Sequence, residues 1–122
     1  MARAVGVGGV FLKAKDPAAL SDWYAQHFGI ARADGTSLVF EGEGMTVFAH
    51  FPEGTGYFGS GPQRSMINLR VDNLDALLAQ LAAAGVEIDP KREDYPYGRF
   101  AWIVDPEGNR VELWEVPPAP PA

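Results

Sequence analysis

The 122-residue sequence has no cysteine, only two histidines, and no apolar run near the ~20 residues that a membrane span requires. Without thiols there can be no disulfide, no thiolate metal centre and no cysteine nucleophile, and a reducing, cytoplasmic setting is the natural expectation. Positive charge is also scarce. Ten Lys and Arg face sixteen Asp and Glu, a net charge of −6, so neither nucleic acid nor an anionic membrane is expected as a partner. Small molecules, cationic ones included, and other proteins remain. There is no G-x-S-x-G, no phosphate loop and no Ser-His-Asp grouping. "VGVGG" (5–9) lacks the G-x-G-x-x-G spacing and runs through Val10 into a strand pattern rather than opening a helix. In "MARAVGVGGVFLKAKD" the residues Lys13, Lys15 and Asp16 cut the apolar stretch too early for a signal peptide, so a strand is expected there.

What is present reads as one unit written twice. "DPAALSDWYAQHFG" offers Asp16 as N-cap, Pro17 at the first helical position and Gly29 past the end. Leu20, Trp23, Tyr24, His27 and Phe28 recur at helical spacing and predict a one-sided helix. "DNLDALLAQLAAAGVEI" repeats the plan, with Asp72 or Asn73 as cap, a stripe of Leu74, Leu77, Leu78 and Leu81, and Gly85 as terminator. Each helix follows an alternating strand, "VFLKAKD" or "INLRVDN". Each is followed by short strands and a glycine-turned hairpin, "SLVF-EGEG-MTVFAHF" or "RFAWIV-DPEG-NRVELWEV".

The expected fold is therefore α+β: two tandem βαβββ modules forming a curved mixed sheet around a cleft, with the helices on the outer face. The chain is read as a single domain over 1–122. Module one covers about 5–52, the Gly/Pro-rich linker about 53–63, module two about 64–116, and a polyproline-like tail 117–122. In each module the helix covers one face of its strands, and side-chain parity decides what lies on the other. Val10 and Leu12, Ile67, Leu69 and Val71, and Val111 and Leu113 are assigned to the helix side. That leaves Phe11, Lys13, Met66, Asn68, Arg70, Glu112 and Trp114 on the uncovered face. Trp102 is expected across the hairpin from Glu112, if the DPEG turn closes with a bulge at Gly108. Laying Gly44 on Gly108 puts Phe48 and His50 on the uncovered face as well. An apolar, aromatic wall with a few polar groups is the usual make-up of a small-molecule site.

"GGVFLKAKDPAALSDWYAQHFGI", "INLRVDNLDALLAQLAAAGVEI" and above all D-P-x-G-N-x-x-E-L (Asp105, Pro106, Gly108, Asn109, Glu112, Leu113) resemble the vicinal oxygen chelate superfamily. That group holds glyoxalase I, extradiol dioxygenases, and fosfomycin and bleomycin resistance proteins. The resemblance implies paired βαβββ modules, commonly in homodimers, around a metal or ligand cleft. Metal-dependent members carry a His on the first strand, a Glu, Gln or His on the fourth, a His on the fifth and a Glu on the last. Here the last position is Glu112. The first falls on Gly9 and the fifth on Met66, neither a ligand for a hard cation, and the fourth falls on Phe48, or on His50 two residues along. No metal or other cofactor is therefore expected, a divalent metal being the alternative.

The resulting expectation is a metal-free small-molecule-binding protein of the resistance or sequestration type. The alternative is a glyoxalase- or dioxygenase-type enzyme in which Glu112 and His50 do acid–base work, with or without a metal. Phe11, Lys13, Phe48, Asn68, Arg70, Trp102 and Trp114 are the candidate ligand-binding residues. Arg70 is the better fork for a carboxylate, with Lys13 as its equivalent on the first strand. His27 is expected as a core or interface histidine. "YFGSG" (57–61) and "EDYPYGRF" (93–100) are expected as loops, either lids or linkers.

Overall fold

In the computed structural model, residues 1–28, 30–40 and 44–118 are described, the side chain of Phe28 excepted. Gly29, the turn 41–43 of the first hairpin and tail residues 119–122 lie outside the described residues. The elements run β1 (Ala4–Ala14), α1 (Pro17–Phe28), β2 (Ala31–Arg32), β3 (Ser37–Phe40), β4 (Thr46–Pro52), β5 (Ser65–Val71), α2 (Leu74–Ala83), β6 (Glu87–Tyr95), β7 (Gly98–Val104) and β8 (Arg110–Glu115). The β-α-β-β-β order thus occurs twice, an α+β fold of tandem modules. The chain divides into two compact units, Val7–Asn68 and Met1–Gly6 with Leu69–Ala122.

In the Val7–Asn68 unit the strand order is β2-β3-β4-β1. β1 and β4 are parallel, with Leu12 beside His50, while β3 and β4 are antiparallel, so the sheet is mixed. Asp16 accepts the Ala19 N–H at 3.1 Å and so caps α1. The inward face of α1 is not the stripe expected. Ser21 is fully buried, whereas Trp23 is 48 % exposed and His27 is exposed, its ring tilted against Trp23 at 4.8 Å. The large aromatic and the histidine are surface residues because the helix turns Ser21 and Tyr24, not Trp23, onto β4.

In the other unit the order is β5-β8-β7-β6, and neither set of strands closes on itself. Asn73 caps α2, accepting the Ala76 N–H at 3.0 Å, which settles the choice between Asp72 and Asn73. Glu115 of β8 accepts the Leu74 N–H at 2.6 Å, placing a carboxylate at the positive end of the helix. Gly85 adopts φ 81° after the last turn, a left-handed residue that ends the helix at no steric cost. Leu74 and Leu77 pack on Val71, Ala101 and Leu113, flanked by Leu69, Leu78, Leu81, Ile103 and Val111. The N-terminal segment is laced to the same unit: Arg3 and Asp72 exchange hydrogen bonds, and so do Ala2 and Gln80. "EDYPYGRF" is strand, turn and strand rather than a loop, since Tyr95 pairs with Gly98 across the β6–β7 turn.

Candidate functional site

The second hairpin builds the site. β7 and β8 pair with Ala101 opposite Leu113 and Trp102 opposite Glu112. Ala101 and Leu113 go under α2, so Phe100, Trp102, Glu112 and Trp114 share the face that the helix does not cover. The turn that sets this register is the D-P-E-G-N run. Asp105 accepts backbone N–H groups from Glu107 and Asn109 at 2.9 Å each, and Gly108 takes φ 84°. Those bonds, the one from Asn109 first, hold the Asp105 pKa below its ordinary value.

Glu112 is only 2 % exposed. A carboxylate at that depth needs hydrogen-bond donors to offset its lost hydration, and the Trp102 indole N–H donates to Glu112 Oε2 at 3.0 Å. Trp114 stacks on Phe100 at 5.9 Å and donates its indole N–H to the Tyr97 carbonyl at 3.2 Å. Phe100 meets Tyr95 and Tyr97 edge-on, and those two tyrosines stack at 5.0 Å, with Tyr97 61 % exposed. An aromatic strip thus leads from solvent at the β6–β7 turn toward the buried carboxylate. In the same unit the guanidinium of Arg70 lies where a methyl group on Gly6 would stand, so glycine at 6 makes room for it.

In the Val7–Asn68 unit, Phe11 and Lys13 lie on the face away from α1, but that face is covered. Phe11 packs on Phe51 at 5.3 Å. Tyr57 and Phe58 of the linker pack on Phe51 at 5.1 and 5.2 Å, and Lys13 Nζ sits 5.5 Å from the centre of the buried Phe58 ring. The expected 57–61 loop is, at its first two residues, part of this aromatic layer. Asn68 and Met66 are buried on β5.

Phe48 and His50 are not on the expected face. Both point toward α1. Tyr24 meets Phe48 at 4.9 Å and stacks on His50 at 5.6 Å, and Ser21 Oγ and His50 Nδ1 share a hydrogen bond of 2.8 Å. The imidazole is 2 % exposed, and its Nε2 has no hydrogen-bond partner among the described residues. Burial lowers the His50 pKa below its ordinary value. The residues of β4 on the opposite face are Val47, Ala49 and Phe51. Glycine alignment of the two hairpins is one residue out with respect to the helix, and in a strand one residue exchanges the faces.

The comparisons with known proteins agree with this architecture. Residues 6–113 match the family described as "Glyoxalase/Bleomycin resistance protein/Dioxygenase superfamily". The chain belongs to that superfamily. No curated protein matches. Among solved structures, a single-residue variant of methylmalonyl-CoA epimerase from Streptomyces coelicolor, in complex with 2-nitronate-propionyl-CoA, is similar at 13 % identity and a TM-score of 0.73. That match covers 95 % of this chain and 100 % of the other. The NAD-dependent benzaldehyde dehydrogenase from Legionella pneumophila is similar at 14 % identity and a TM-score of 0.64, over 89 % and 98 %. The Mn(II)-bound glyoxalase from Novosphingobium aromaticivorans is similar at 20 % and 0.62, over 94 % of this chain and 40 % of that one. At these identities the structures speak for the fold alone.

The metal that the superfamily implies does not fit these residues. Gly9 carries no ligand and has no room for one, since a Cβ there would lie 2.7 Å from the Phe11 ring and 2.9 Å from the Val47 carbonyl. Met66 supplies a buried thioether, a soft donor unsuited to a hard cation. His50 is engaged beneath α1, and no residue of β4 on the other face can ligate. Among the described residues no group of three or more His, Asp or Glu side chains could hold a metal ion. No helix among them is long and apolar enough to cross a membrane.

Proposed function

We propose that this superfamily member binds a small organic molecule without a metal, on the helix-free face of the second module. Glu112 is the polar anchor, Trp102 its orienting donor, and Trp114 with Phe100 the flat apolar contact. Arg70, in the same unit, belongs to the proposal as a further ligand contact. Phe48 and His50 do not, because they serve the packing of α1. One observation carries the reading: a carboxylate buried to 2 % on the sheet face away from α2, held by an indole N–H. In a purely structural core an apolar residue would satisfy the packing at less cost than this buried carboxyl group. The matching ligand carries a hydrogen-bond donor or a cation for the carboxylate and a planar apolar body for the rings. The net charge of −6 favours a cation at long range.

The resistance or sequestration role, the cytoplasmic setting, the homodimer and the 53–63 linker boundary are parts of the same proposal. They rest on the resemblance and the composition. A thermal-shift screen with bleomycin-like cations, hemithioacetals and catechols, run with and without chelator, tests it. Hits that survive chelation support the reading. Turnover of a hemithioacetal or catechol that needs added metal would replace it with the enzyme alternative.

A further inference from the structure

Trp102 is fully buried, yet two cations lie against its ring. Lys91 Nζ is 5.3 Å and Arg110 Cζ 5.2 Å from the ring centre. Arg110 is two residues from Glu112 on β8 and shares its face by alternation. Lys91 arrives by a different route. The β6–β7 register shifts between Ile88 and Arg92, and the irregular segment 89–91 delivers the lysine over the indole. Asp89, in the same segment, links the Lys91 backbone to the Arg110 guanidinium. One of its oxygens accepts the Lys91 backbone N–H at 2.8 Å, and the other accepts from Arg110, forming a salt bridge. The bond from Arg110 is the main reason its carboxyl pKa is held below the ordinary value. Lys91 is kept in place by Glu93 at 3.3 Å.

We propose that Asp89, Lys91 and Arg110 form a cation clamp on Trp102 and act as positioning residues for Glu112. The clamp works in two ways. Cations against the ring draw electron density toward its face and make the indole N–H a stronger donor to Glu112 Oε2. The clamp also fixes the ring orientation, and hence the direction from which that carboxylate is held. The importance of Glu112 to a ligand rests on the preceding proposal, whereas the clamp can be read in ligand-free protein.

The test uses ¹⁵N-labelled protein. Its three tryptophans give three indole N–H signals, and Trp102 is assigned by the signal lost in Trp102→Phe. Lys91→Met keeps the length of the side chain and removes its charge, and Asp89→Asn loosens Arg110 with little change of shape. In each, the Trp102 signal is expected to move upfield and its hydrogen exchange to quicken by about tenfold. The Trp23 and Trp114 signals should hold, and Lys91→Arg should restore the wild-type position. An unmoved Trp102 signal in both variants would overturn the clamp, and so would equal movement of all three signals. If Trp102 responds but the affinity of a ligand found by the thermal-shift screen does not, the clamp stands and the binding role of Glu112 falls.

Discussion

Below pH 6.5, the ordinary histidine value, the unfolded chain takes up a proton at position 50 that the folded chain resists. The folded pKa is lowered by burial, so the unfolded state binds more protons between the folded value and 6.5. Stability should therefore fall as pH is lowered through that window. The cause is local: protonation leaves a charged imidazole buried between Tyr24 and Phe48, its Nε2 without an acceptor among the described residues. Urea denaturation at pH 7.5 and 5.5 should show the decline in wild type, and His50→Leu should flatten it. Asp34, Asp75, Asp89 and Asp105 are also shifted, but downward from 3.8, so they act below this window. At Glu112 the residue-scale expectation is different. Glu112→Ala removes the acceptor of the Trp102 N–H seen at 3.0 Å and should cost about 1–3 kcal/mol by the same assay. Glu112→Gln keeps an oxygen that can accept and should cost less.

The elements owe their limits to a few positions. Asn73→Ala removes the cap of α2 and should lower stability by about 1 kcal/mol in urea titrations. Gly98 has φ 156°, and a Cβ there would collide with the Trp114 indole. Gly98→Ala should therefore cost about 1–3 kcal/mol and displace the Trp114 indole signal. The second hairpin was legible in the sequence because D-P-E-G-N fixes its turn and V-E-L-W separates aliphatic from polar and aromatic residues. The first was not. In V-F-A-H-F both faces are apolar or aromatic, so no period-two signal says which goes under the helix, and the glycine alignment chose wrongly by one residue. On α1 the same weakness appears: Trp23 is large enough to look like core, while the small Ser21 that packs inward gives no hydrophobic signal. The clamp residues had no signature at all, because the β6 irregularity that carries Lys91 to Trp102 is a matter of pairing register.

At the scale of the whole molecule, the repeat carried most of what could be read. Two capped helices, each following an alternating strand and preceding a glycine-turned hairpin, were enough for the tandem βαβββ order, while the superfamily came from the resemblance, above all that of the D-P-x-G-N-x-x-E-L run. The departure from the metal-bearing pattern was legible at Gly9 and Met66, and became firm only when His50 proved to be held by Ser21. Purified without an affinity tag, the protein should carry no stoichiometric Zn, Ni, Mn or Fe by elemental analysis. The most direct test of the account is a thermal-shift screen run in parallel on wild type and Glu112→Gln, each with and without chelator. The account predicts compounds that raise the wild-type melting temperature equally in both conditions and leave Glu112→Gln unmoved. Compounds that stabilise both proteins alike, or only in the absence of chelator, would contradict it.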